Sequence, residues 1–167
     1  MDNNRTKSEA EMDSVQLLAS MLLCYPPITK VVLEPGGKSI ALCFSMKKVP
    51  DPETFPAHQD FILDSLRLYH DIECSGQVHC KIFFRNGSLQ IVRDLATLSR
   101  GELGLLAELV ADRFADNLED ADCSIPDRET ALQADMIDHR ISSLRANPAD
   151  GEIIGIREDG RVMVFDK

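Results

Sequence analysis

The chain has 167 residues, and its 28 acidic against 18 basic side chains give a formal net charge of −10. That length fits one compact domain, alone or with an appendage, and leaves little room for two. A hydrophobic content of 44% excludes disorder throughout, and no apolar run reaches the roughly 18–20 residues of a membrane span.

Val15 to Cys24 is mostly apolar but follows Glu9, Glu11 and Asp13, where a secretion signal would be basic, and it ends in Tyr25-Pro26-Pro27 without a small-residue cleavage site. Met12, Val15, Ala19, Leu22 and Leu23 have helical spacing, and Ser8 with Glu11 can form a capping box. This is a first helix of a cytoplasmic protein. The odd number of cysteines (Cys24, Cys43, Cys74, Cys80, Cys123) points the same way, to free thiols in a reducing compartment.

Ile28 to Glu34 reads as a strand, Pro35-Gly36-Gly37 as a turn, and Ser39 to Met46 as a second strand with Ile40, Leu42, Phe44 and Met46 on one face. Thr54 to His70 is a helix whose stripe of Phe55, Ile62, Leu66 and Tyr69 is widened by Phe61 and Leu68. Val78 to Arg85, Asn86-Gly87 and Ser88 to Asp94 form a hairpin. Thr97 or Ser99 caps a third helix reaching about Phe114, with Leu103, Leu106, Ala107, Val110 and Phe114 as its stripe.

The expected class is α+β: a four-stranded antiparallel sheet from two hairpins with helices on one face, in the order αββαββα. Residues 1–115 form this main domain, and 116–126 an acidic loop. Residues 127–167 form a C-terminal helix and a hairpin turning at Glu158-Asp159-Gly160. Too small to bury a core alone, that segment must pack on the main domain or on a second subunit. Its helix carries Ala134, Ile137, Ile141 and Leu144 in a 3-4-3 spacing, which suits a dimer or docking seam.

Charge is unevenly distributed. Lys30, Lys38, Lys47 and Lys48 stand against Glu34 in residues 25–50, whereas residues 51–75 set Asp51, Glu53, Asp60, Asp64, Asp71 and Glu73 against Arg67. On the strands, Lys81 and Arg85 flank Phe83 on one face; with Lys47 they form a candidate binding set for an anionic partner. Overall acidity and the scarcity of aromatics oppose nucleic acid.

Catalytic motifs are missing. Pro35-Gly36-Gly37-Lys38-Ser39 lacks the first glycine of a phosphate-binding loop and precedes a strand. No Gly-x-Ser-x-Gly elbow is present. His70, Cys74, His79 and Cys80 have the wrong spacing for a zinc knuckle, which leaves a core thiol and surface histidines. No catalytic residue, metal or cofactor is assigned. The element order suits several small α+β binding folds, acidic dimeric chaperones of secretion systems among them, but no motif ties the chain to a family. The expected function is non-catalytic protein–protein interaction of an adaptor, chaperone-like or regulatory kind, with another protein or with itself as a homodimer. The alternative is anion or nucleic-acid binding on the basic hairpin face.

Overall fold

A computed structural model describes residues 2–73, 76–119 and 127–166, with side chains from Glu9 in the first helix and from Leu132 in the fourth. Along the chain run α1 (Asp2–Cys24), β1 (Lys30–Leu33), β2 (Ser39–Ser45), α2 (Phe55–Glu73), β3 (Cys80–Arg85) and β4 (Ser88–Asp94). There follow α3 (Arg100–Arg113), α4 (Asp127–Ala146), β5 (Ile153–Glu158) and β6 (Arg161–Asp166). The class is α+β. Residues 120–126 of the acidic loop, with Cys74 and Cys123, lie outside the described residues.

The sheet has six strands, in the order β3-β4-β2-β1-β5-β6, each antiparallel to its neighbours. The expected four-stranded sheet is therefore two strands short. Joined only to each other, the first two hairpins would leave the apolar strand Val31-Val32-Leu33 at an edge with unpaired backbone groups. The last hairpin supplies the missing partner, with Leu33 opposite Ile153 and Lys30 opposite Ile156. The C-terminal segment thus extends the sheet within the same chain. Both tight hairpins use left-handed residues at the turn, Asn86 and Gly87 (φ 52° and 76°) and Asp159 and Gly160 (φ 52° and 73°), as a two-residue loop with the native strand twist requires.

All four helices gather over one face. Leu18 and Leu22 of α1 lie directly on Gly155 of β5, and His70 of α2 and Glu102 of α3 meet Arg93 of β4. The α4 residues Ile137, Ile141 and Leu144 join the same core as Leu17 and Met21 of α1 and Val31, Leu42 and Phe44 of the sheet. Each large aliphatic side chain so buried contributes about 1.5–3 kcal/mol. Ser99 caps α3 by accepting from the Glu102 N–H, and Gly101 leaves room for the Tyr69 hydroxyl, which a Cβ there would strike.

Three local expectations change. Helix α1 begins at Asp2, so Ser8 is not its cap. Within α2 the buried residues are Ile62, Leu66 and His70, whereas Phe61 and Leu68 face solvent because they lie about 100° or more round the helix from that stripe. His70 is buried, not a surface histidine, because Arg93 and Glu102 meet it inside the core.

Candidate functional site: the helix-free face of the sheet

Strand alternation places every second residue on the face away from the helices. Pairing aligns these residues into two rows that cross all six strands. One runs Phe83, Gln90, Cys43, Lys30, Ile156, Met163; the other runs Lys81, Val92, Ala41, Val32, Ile154, Phe165. At about 4.8 Å per strand each row is roughly 24 Å long, and neighbouring rows are about 7 Å apart. None of the apolar residues in these rows belongs to the core cluster beneath the helices. Met163 and Phe165 are 44% and 46% exposed, while Cys43, Ala41 and Ile154 are small or central enough to be screened by their neighbours. Among the described residues no helix packs against this face.

The structure places Lys81, Phe83 and Arg85 on this face of β3, with both cations exposed and Phe83 half-buried between them. Lys47 lies just beyond the end of β2, exposed, with its N–H donating to the Asn117 carbonyl at 2.7 Å. The seam residues go elsewhere. Ile137, Ile141 and Leu144 are buried and Ala134 is half-buried, where α4 packs on α1 of the same chain. Ser20 donates to Gln133 at 2.7 Å, and Arg145 donates to the Leu95 and Leu98 carbonyls at 2.9 and 2.5 Å. That stripe is spent on intrachain packing.

Under the helices lies a polar cluster that the sequence reading passed over. Arg93 is fully buried, and its five N–H groups are all engaged. Nε donates to Glu102 Oε2 at 2.7 Å, and Nη2 to Glu102 Oε1 at 2.6 Å and to Thr97 Oγ1 at 2.9 Å. Nη1 donates to the His79 carbonyl at 2.7 Å and to Asp94 Oδ1. Glu102, itself fully buried, also bonds His70 Nε2. Burial alone would lower the Arg93 pKa, but the Glu102 hydrogen bonds and the charges of Glu102 and Asp94 raise it above the ordinary value. Burial would likewise raise Asp94; its bonds from Thr97 and the His79 N–H, with the Arg93 charge, hold it below the usual carboxylate range.

The cluster ties β4 to α2, α3 and the turn between β4 and α3. The His70–Glu102 pair has the form of a base and its orienting carboxylate, but among the described residues no Ser or Cys side chain bonds His70, and Arg93 has no donor left for a ligand. The network fixes β4 against α2 and α3, and His70 Nδ1 is buried beside it with no hydrogen-bond partner among the described residues. Among the described thiols, burial pushes Cys80 up to about 11, with Arg93 opposing, and raises Cys43 despite Lys30 beside it. Among the described residues no group of three or more His, Cys, Asp or Glu side chains is placed to hold a metal ion, and no helix is long and apolar enough to cross a membrane.

Comparison with protein-family models, curated proteins and solved structures finds no match for the chain.

Proposed function

We propose that the protein works without catalysis, by docking another protein on the helix-free face of its sheet. The observation that carries this reading is the pair of apolar rows spanning six strands. They include the exposed Met163 and Phe165 and have no helix over them among the described residues; the largest apolar patch on a soluble domain, typically about 300–600 Å², is often functional. The free thiols Cys43 and Cys80 support a cytoplasmic setting. A second copy of the chain on this face is the homodimeric case, and native mass spectrometry at micromolar concentration separates it from a foreign partner.

The test is capture from lysate of the source cells with wild type and with the face variants Val92→Asp and Ile156→Asp. Partners should be retained by wild type and lost by both variants, with urea midpoints unchanged. Retention of the same partners by well-folded variants would refute the reading.

One observation favours a second reading: Lys81, Phe83 and Arg85 share one strand face. If that face holds an anion or single-stranded nucleic acid, the protein should bind a labelled oligonucleotide with strong salt dependence, and Lys81→Glu with Arg85→Glu should abolish it. Binding that ignores salt, or that survives both substitutions, would exclude that reading.

A further inference from the structure

Helix α2 carries two apolar stripes where the core needs one. The inner stripe holds the buried Ile62, Leu66 and His70. The outer one holds Phe61, Leu68 and Ile72, spaced seven and four residues apart, which aligns them along one line of the helix. They are 39%, 62% and 71% exposed. Arg113 of α3 covers one end, its guanidinium 3.5 Å from the centre of the Phe61 ring. Towards the other end, among the described residues, Leu68 and Ile72 have no such cover. Beside this line, about 60–100° round the helix, runs a row of carboxylates four and seven residues apart: Asp60, Asp64 and Asp71. Arg67 pairs with Asp64 at 3.5 Å, and both side chains are more than 70% exposed, so this pair screens little of the Asp64 charge.

We propose that this outer face of α2 is a second docking surface, and that its occupant is a basic amphipathic helix of another protein. Such a helix sets its apolar stripe on Leu68 and Ile72, up to the Arg113-covered Phe61, and its Lys or Arg flank on Asp60, Asp64 and Asp71. Charge selects the occupant. A second copy presenting its own α2 would bring acid row against acid row, a mismatch that costs affinity. Nucleic acids and anionic lipid surfaces are repelled for the same reason. The surface lies on the helical side of the sheet, opposite the rows that include Val92 and Ile156, so one molecule can hold a partner on each side and bridge them. The proposal does not depend on the sheet face being occupied.

The probe is a labelled, helical 18-residue peptide of Leu and Lys with the same apolar spacing, alongside a Leu/Glu counterpart. Both are titrated into the full-length protein by fluorescence anisotropy at 150 mM salt and footprinted by hydrogen exchange. The Leu/Lys peptide should bind at least tenfold more tightly than the Leu/Glu peptide and protect α2. Leu68→Ser with Ile72→Ser should weaken it at least tenfold, as should Asp60→Lys, Asp64→Lys and Asp71→Lys together. Reversing the same number of charges elsewhere, at Glu11, Asp116 and Glu158, separates this from general attraction to an acidic protein and should change affinity less than threefold. Equal loss from the two charge-reversal sets, indifference to the Leu68 and Ile72 substitutions, or protection away from α2 would each overturn the proposal. Val92→Asp, which tests the sheet face, should leave peptide binding unchanged, so the two surfaces succeed or fail separately.

Discussion

Arg93→Met is the sharpest test of how this fold is held together. The substitution keeps an unbranched side chain of similar reach but removes two bonds from the fully buried Glu102 carboxylate, at 2.7 and 2.6 Å, and three from the His79 carbonyl, Asp94 and Thr97. Breaking one side of a buried ion pair costs about 3–5 kcal/mol, mostly because the other charge is left without compensation. Against a total stability of about 5–15 kcal/mol that is a large fraction. With a urea slope near 2 kcal/mol/M, the midpoint should fall by about 2 M. Glu102→Leu should cost a comparable amount. The double variant Arg93→Met/Glu102→Leu replaces the pair by apolar side chains and should recover most of the loss, giving a coupling of about 3 kcal/mol or more. The chain contains no tryptophan, so unfolding is followed by far-ultraviolet circular dichroism. Midpoint shifts below about 0.5 M for the single variants, or a double variant as unstable as the sum of the two, would refute the reasoning.

Cys80, with its thiol pushed up to about 11, should react with iodoacetamide at pH 8 about two orders of magnitude more slowly in the folded protein than in urea; equal rates by peptide mass spectrometry would contradict its burial. Because Asp94 is held below its ordinary pKa, it stabilises the fold above that ordinary value, near pH 4. Its contribution is lost as pH falls through the lowered folded value, so Asp94→Asn should flatten the acid limb of a stability–pH profile measured from pH 6 to 2. An unchanged acid limb would dismiss the Asp94 network. A Cβ on Gly155 would sit 3.0 Å from Leu22 Cδ1 and 3.2 Å from Leu18 Cβ. Gly155→Val should therefore lever α1 off β5 and cost about 1–3 kcal/mol, read as a lower urea midpoint; a midpoint equal to wild type would show that α1 gives way freely.

Local pattern made the elements legible. The Asn86-Gly87 turn, the alternation of β4 and the Ser99 cap each specify their structure within a few residues, and all stand in the fold. Strand order was harder, because which edge accepts the last hairpin is a long-range choice. The apolar runs of Val31-Val32-Leu33 and Ile40-Ala41-Leu42-Cys43-Phe44 did carry a signal, since an apolar strand left at an edge is a ready template for further pairing, and these two are interior. The buried cluster was legible too, in hindsight of parity. Arg93 continues the buried alternation Leu89, Ile91 on β4, and His70 continues Ile62 and Leu66 at four-residue steps. A charge at an apolar position looks like a solvent-facing exception until its partner is known, and Glu102 belongs to a different element. Lys81, Phe83 and Arg85 fall on a common face by alternation alone; that the same face is bare of helices depends on where all four helices settle.

The position of β1 has a consequence for how the molecule is made. Its partner on one side, β2, follows within a few residues, but its partner on the other begins at Ile153, 120 positions after Leu33. At about 5–20 residues per second of synthesis, the growing chain carries that open edge for roughly 6–24 seconds, and for as long α1 lacks the Gly155 surface on which Leu18 and Leu22 rest. A ribosome stalled before β5 would release a product with a bare apolar strand edge in the middle of its intended sheet. Such a fragment pairs with whatever strand it meets, so the late arrival of one hairpin separates a stable protein from an adhesive one.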